Sequence, residues 1–180
     1  MPKESSTLKK KPLTAKKKTV ATKVKRKKVS AIPKGYHSIT PYLAIDNNAA
    51  DAINFYKKVF GAKEIKKMEF SDGKIAHAEL KIGDAKIMLA DECLGMDFRG
   101  PQNYGGSPVR IHLYIKDVDT VAKAAVKHGA KIQKPVEDMF YGDRSCAILD
   151  PYGHKWFIST HIEDVTPAKM RKRAAELFNK

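Results

Sequence analysis

Arg110, His112 and Tyr114 sit at alternate positions of the segment Val109-Arg110-Ile111-His112-Leu113-Tyr114-Ile115. A β-strand sends successive side chains to opposite faces, so these three share one face and Ile111, Leu113 and Ile115 share the other. The polar face therefore combines a permanent cation, an imidazole and a phenol. A guanidinium holds a carboxylate, phosphate or enolate-like oxygen pair through two parallel hydrogen bonds. An imidazole transfers protons near neutral pH. The same alternation places His77 and Glu79 on one face of a segment at 74–82, and Glu79 serves as a general base where its surroundings raise its pKa. Thr40 and Tyr42, Met88, and Phe157 with Ser159 fall on the equivalent faces of three more segments. His112 and Glu79 are the catalytic candidates. Thr40, Tyr42, His77, Met88, Arg110, Tyr114, Arg144 and Phe157 are the ligand-binding candidates. The competing reading has these groups facing solvent or satisfying one another by hydrogen bonds.

The elements that position these residues occur twice. After the strand at 109–115, Asp117 caps a helix with apolar Val118, Val121, Ala122 and Ala125 on one face, and Gly129 stops it. Strands near 131–140, 144–149 and 154–160 follow. Earlier, a strand from Ser38 to Ile45 leads through Asp46 or Asn47, either able to cap, into a helix buried along Ala52, Ile53, Tyr56, Val59 and Phe60 and ended by Gly61. Strands at 63–70, 74–82 and 85–91 follow it, around an Asp72-Gly73 hairpin. The two halves keep phase. Leu43 maps to Leu113, Gly61-Ala62-Lys63 to Gly129-Ala130-Lys131, and Ile87 to Trp156. The fold class is α+β: a βαβββ module used twice, about 38–91 and 109–162, inside a domain at 35–164. A loop at 92–107, long for a small domain, joins the halves and reads as functional or as a linker. Thr166 and Pro167 open a short C-terminal helix within 165–180, with Met170, Ala174 and Leu177 on one face. Trp156 reads as core. Arg144 reads as a rim clamp or as the partner of Asp143 or Asp150.

Charge is unevenly spread. Residues 1–34 hold 13 Lys and Arg against a single acidic residue, Glu4, a net charge of +12, whereas the other 146 residues carry +3 of the total +15. A segment this polar and charged, without aromatics, is expected to be a disordered tail. Its lysines suit non-specific binding to nucleic acid or another polyanion, with a log–log salt slope of about −0.9 per phosphate neutralised. It equally suits solubility alone. No apolar run approaches the roughly 18 residues of a membrane span, and the start lacks a secretory-type apolar core. Two cysteines, Cys93 and Cys146, are too few for a disulfide framework. The expected compartment is cytoplasmic, or nuclear in a eukaryote through the Lys25–Lys28 cluster, with no membrane partner.

Ile39-Thr40-Pro41-Tyr42-Leu43 leading to Phe55-Tyr56-Lys57-Lys58-Val59-Phe60-Gly61-Ala62, together with Asp150-Pro151-Tyr152-Gly153-His154 before the last strand, resembles the vicinal oxygen chelate superfamily. That group includes glyoxalase I, bleomycin-resistance proteins, fosfomycin-resistance enzymes and extradiol dioxygenases. Phe140-Tyr141-Gly142-Asp143-Arg144 resembles its PhnB-like branch, and the likeness covers about residues 36–164. The resemblance implies cupped mixed sheets with the helices outside and a ligand in the cup. It implies pairing into a homodimer, with the C-terminal helix or the 92–107 loop in the contact. Metal-dependent members place ligands on the first and last strand of each module. The matching positions here are Thr40, Met88, Arg110 and Phe157, a set that cannot hold a hard or borderline divalent ion. The expected site thus has no metal and no cofactor. The alternative is a divalent metal held by a displaced set of His77, Glu79 and His112.

Three functions follow as expectations. The first is a protein of the bleomycin-resistance kind that binds a small anionic or planar molecule in a metal-free cup. The second is a lyase, isomerase or dioxygenase working through Arg110, His112 and Glu79. The third is polyanion binding through residues 1–34.

Overall fold

The structure is a computed structural model that describes residues 29–46 and 48–178. Internal contacts separate Met1–Ala31 from Ile32–Lys180, and the fold belongs to the second unit. The expected tail at 1–34 lies almost wholly outside the described residues.

The expected duplication is present. The first module runs β1 (Tyr42–Ile45), α1 (Ala49–Phe60), β2 (Lys63–Glu69), β3 (Ile75–Ile82) and β4 (Ala85–Asp91). The second runs β5 (Arg110–Tyr114), α2 (Val118–Lys127), β6 (Lys131–Asp138), β7 (Asp143–Leu149) and β8 (Lys155–His161), and α3 (Pro167–Phe178) follows. The two four-stranded sheets have the same order, β1-β4-β3-β2 and β5-β8-β7-β6. In each, the strand before the helix pairs in parallel with the last strand, and the remaining pairs are antiparallel.

One core joins the halves. The apolar stripes of α1 and α2 pack against their own sheets and against each other. Tyr56 and Phe60 stack at 5.8 Å between ring centroids, and Trp156 of the other module lies 4.7 Å from Phe60. Trp156 is 2 % exposed, as its phase predicts. Asp150 holds this contact. It is 3 % exposed and takes four donors: the Tyr56 hydroxyl at 2.7 Å, Trp156 Nε1 at 2.9 Å, and the backbone N–H groups of Tyr152 and His154. His154 adds a bond to the Ala44 carbonyl at 3.1 Å. The Asp-Pro-x-Gly-His motif is therefore a clip between modules.

Some boundaries differ from the sequence expectation. β1 begins at Tyr42 rather than Ser38, because Pro41 has no N–H for the ladder, although its carbonyl still accepts from Met88 N at 2.8 Å. Thr40 thus precedes the strand. The cap of α1 is Asn48, in the left-handed conformation at φ 71°, rather than Asp46 or Asn47. Asn48 tolerates that conformation and its side chain accepts from Asp51 N. Asp117 caps α2 as expected. The face of α3 is only partly covered: Met170 and Ala174 are half-buried and Leu177 is 56 % exposed.

Candidate functional site

The inter-module loop is ordered by carboxylates at its base. Asp46, freed from capping, accepts from Gln102 N at 2.9 Å and Asn103 Nδ2 at 3.0 Å. Glu92 takes the same Asn103 amide at 2.8 Å. Two short 3-10 turns, Leu94–Met96 and Pro101–Tyr104, give the loop its shape. So held, it roofs a cavity of about 670 Å³ whose floor is β1 and β5. That volume suits a small organic ligand.

Tyr42, Arg110 and His112 line this cavity, joined by Phe98, Arg99, Tyr104 and His154. Arg99 is neutralised by Asp97 at 3.0 Å. Among the described residues Arg110 has no carboxylate within ion-pair distance, so it leaves the cavity an uncompensated positive charge. The wall around it is aromatic: Tyr42 and Phe98 touch at 5.1 Å between centroids. Sequence reasoning missed Phe98, Tyr104 and His154 as cavity residues. Phe98 and Tyr104 stand on a loop without period, whose length alone pointed to a role, and His154 belongs to the clip.

The remaining candidates do not line the cavity. On β3, His77 and Glu79 form a chain that ends at it. The Tyr42 hydroxyl lies 3.0 Å from His77 Nδ1, and His77 Nε2 lies 3.2 Å from Glu79 Oε1. Glu79 is 8 % exposed and accepts the Tyr36 hydroxyl through its other oxygen. Tyr36 in turn lies beneath the Lys86 ammonium, 3.4 Å from its ring centroid. The Tyr36 bond, helped by His77, outweighs burial and holds the Glu79 carboxyl below the usual carboxylate range. That is the opposite of the raised pKa a Glu79 base would need, and it keeps the group an anion. Met88 pairs with Tyr42 and with Glu79 in the sheet register and is half-buried.

On the second sheet, His112 stacks on Tyr114 at 4.7 Å, tilts against Phe157 at 5.4 Å, and bonds Ser159 Oγ through Nε2 at 2.9 Å. The Tyr114 hydroxyl donates to buried Asp143 at 2.9 Å, which raises the phenol's pKa. Asp143 also holds His161 Nδ1 at 2.7 Å. Arg144 pairs with neither Asp143 nor Asp150. It forks onto Asp119 of α2 at 2.7 and 2.8 Å and reaches Asp138 of β6 at 2.7 Å. Its fork is filled, so it ties α2 to the sheet and is not free to clamp a ligand.

The metal-ligand positions do not suit a divalent ion. Thr40 precedes β1, Met88 offers a thioether, Arg110 is a cation and Phe157 has no donor. The displaced set is not assembled either: His77 and Glu79 meet on β3, while His112 bonds Ser159 on the other sheet. Among the described residues no three His, Cys, Asp or Glu side chains gather closely enough to hold a metal ion.

Paired βαβββ sheets joined through their helices define the fold, and likeness to known proteins gives the family. Residues 38–158 match the model of the Glyoxalase/Bleomycin resistance protein/Dioxygenase superfamily. The chain belongs to that superfamily. An uncharacterised protein of Mycobacterium bovis is 38% identical over 132 residues, 71% of this chain and 86% of its own. A PhnB protein from Bacillus cereus, described as a putative 3-demethylubiquinone-9 3-methyltransferase, matches with a TM-score of 0.56 at 18% identity, over 69% of this chain and 99% of its own. The genomically encoded fosfomycin resistance protein FosX of Listeria monocytogenes, complexed with Mn(II) and sulfate ion, matches with a TM-score of 0.52 at 18% identity, over 76% of this chain and 96% of its own. These two structural likenesses establish shared fold.

Proposed function

We propose that this protein binds a small planar organic anion in the cavity between β1 and β5. The observation that carries this reading is Arg110, unpaired among the described residues, in a 670 Å³ cavity walled by Tyr42, Phe98 and Tyr104. A guanidinium fork selects a carboxylate or phosphate group, and flat aromatic walls select a flat partner. Family membership supports a small-molecule ligand in general terms. Benzoate is the simplest probe with both features. Full-length protein should bind it with or without a chelator present, and Arg110→Gln should remove most of the affinity. Homodimerisation belongs to the same reading: Tyr114 stands exposed on an open sheet face, and β2 is exposed on both faces.

A second reading rests on charge. The +12 carried by residues 1–34 supports non-specific polyanion binding alongside the cavity's role. Retention on duplex DNA at low salt should fall steeply with added salt and vanish when residues 1–34 are deleted. Unchanged retention after the deletion would remove this reading.

A further inference from the structure

Four side chains form one hydrogen-bonded line across the first sheet: Tyr36, Glu79, His77 and Tyr42. Only the last of them lines the cavity. The protons along the line can be assigned by elimination. Glu79 is held ionised, so its oxygens only accept. His77 Nε2, 3.2 Å from Glu79 Oε1, must then carry the ring proton. In the neutral ring Nδ1 is left as an acceptor, and the Tyr42 hydroxyl, 3.0 Å away, donates to it. A carboxylate thus orients an imidazole, and the imidazole faces a phenol on a ligand cavity. This is the carboxylate, base and hydroxyl order that activates an O–H group elsewhere in enzymes.

From this geometry we infer that Tyr42 is an acid–base group, driven by His77 and positioned by Glu79, which shifts a proton on a small carboxylic acid whose carbon beside a carbonyl bears hydrogen. The inference rests on the reading of the cavity as an anion site, because Arg110 must hold the carboxylate. An anion anchor and a proton relay on one cavity are together the parts that such a shift requires. The step balances without a co-reactant. The C–H bond of a 2-oxo acid breaks and its proton passes to the Tyr42 oxygen, while the phenolic proton passes to His77 Nδ1. The C–H electron pair becomes the C=C bond and the carbonyl π pair moves to oxygen. The products are an enolate, beside Arg110, and an imidazolium, facing Glu79. Return of the proton along the same line regenerates the acid. In D2O the Tyr42 hydroxyl, on a side chain that is 47 % exposed, exchanges the proton it received before the return, and a deuteron goes back to carbon.

The probe is 2-oxobutyrate in D2O with full-length protein, its C3 hydrogens followed by proton NMR, and benzoate affinity measured in parallel. Exchange should exceed the buffer rate. Tyr42→Phe keeps the ring and should lower kcat for exchange by about 100-fold, within the span ascribed to general acid–base groups. His77→Gln should act likewise, and Glu79→Gln should lower kcat by about tenfold with KM unchanged, a split that a loss of packing would not produce. His77→Gln and Glu79→Gln, at positions that do not line the cavity, should bind benzoate within about twofold of the parent protein, because Arg110 and the Tyr42 ring remain. Exchange at the buffer rate in protein that binds benzoate overturns the proton-transfer inference and leaves the binding reading standing. Exchange that survives Tyr42→Phe overturns it as well. Absence of both exchange and benzoate binding overturns both.

Discussion

Asp150 and Glu79 show how differently two buried carboxylates are used. Asp150 accepts four donors from both modules and does not line the cavity between β1 and β5. Replacing it by Ala would strand the Tyr56 hydroxyl and the Trp156 N–H in the core. The expected cost is about 2–4 kcal/mol, as for unsatisfied buried donors, read as a lower urea midpoint with benzoate affinity intact in the folded fraction. Glu79 orients the His77 ring beside the ligand cavity, so its loss should spare stability more than proton transfer. At the other sheet His161 stands between Asp143 and Asp164, and both carboxylates raise its pKa above the ordinary 6.5, Asp143 the more. The charged form is the one the fold favours. Its contribution is therefore complete below about pH 6.5 and fades as the pH rises through the raised value. Urea midpoints of the parent protein should fall between about pH 6 and 9, and His161→Gln should flatten that fall; an equal slope in the variant would show that the ion pairs contribute nothing.

At the scale of the elements, the loop over the cavity is the part most sensitive to small changes. A Cβ on Gly100 would run into the Asp46 carboxylate and lie 2.8 Å from Asp46 N, so Gly100→Ala cannot keep the loop where it is. Benzoate binding should weaken by about tenfold in the folded fraction of that variant, because the displaced loop carries part of the cavity lining. Affinity equal to the parent's would mean that the loop does not shape the site. The elements themselves were legible in the sequence because both modules repeat the same period changes in the same order, and Leu43 with Leu113 or Ile87 with Trp156 fix the phase. What the pattern did not carry were pairings between elements. Arg144 finds Asp119 and Asp138, which its sequence neighbourhood does not indicate. Asn48 takes over the cap by adopting a left-handed backbone conformation that composition cannot reveal, and Asp46 is thereby released to the loop. For the site, alternation located Tyr42, His77, Glu79, Arg110 and His112 on open faces. It could not show that Tyr42 and His77 meet, nor that Phe98 and Tyr104, from a segment without periodicity, line one cavity with Tyr42.

The whole molecule joins two sheets through one core and leaves their open faces outward. Tyr42, 47 % exposed, and Tyr114 stand on those faces, and β2 is uncovered on both sides. A second copy of the chain would cover such surfaces. Light scattering should therefore give about 40 kDa, twice the chain mass of 20.1 kDa, and a mass near 20 kDa at working concentration would dispose of the dimer. Among the described residues no helix is long and apolar enough to cross a membrane. On the reading proposed for the cavity, deletion of residues 1–34 should leave benzoate binding unchanged. The claim on which the rest depends is that Arg110 is an anion anchor. Its most direct test is the benzoate dissociation constant of parent protein and Arg110→Gln, measured by ligand-observed NMR at one salt concentration. The anchor predicts a loss of roughly tenfold or more, the usual scale of a charged hydrogen bond at about 1.5–3 kcal/mol. Equal affinity in the two proteins, or no binding to either, would contradict it.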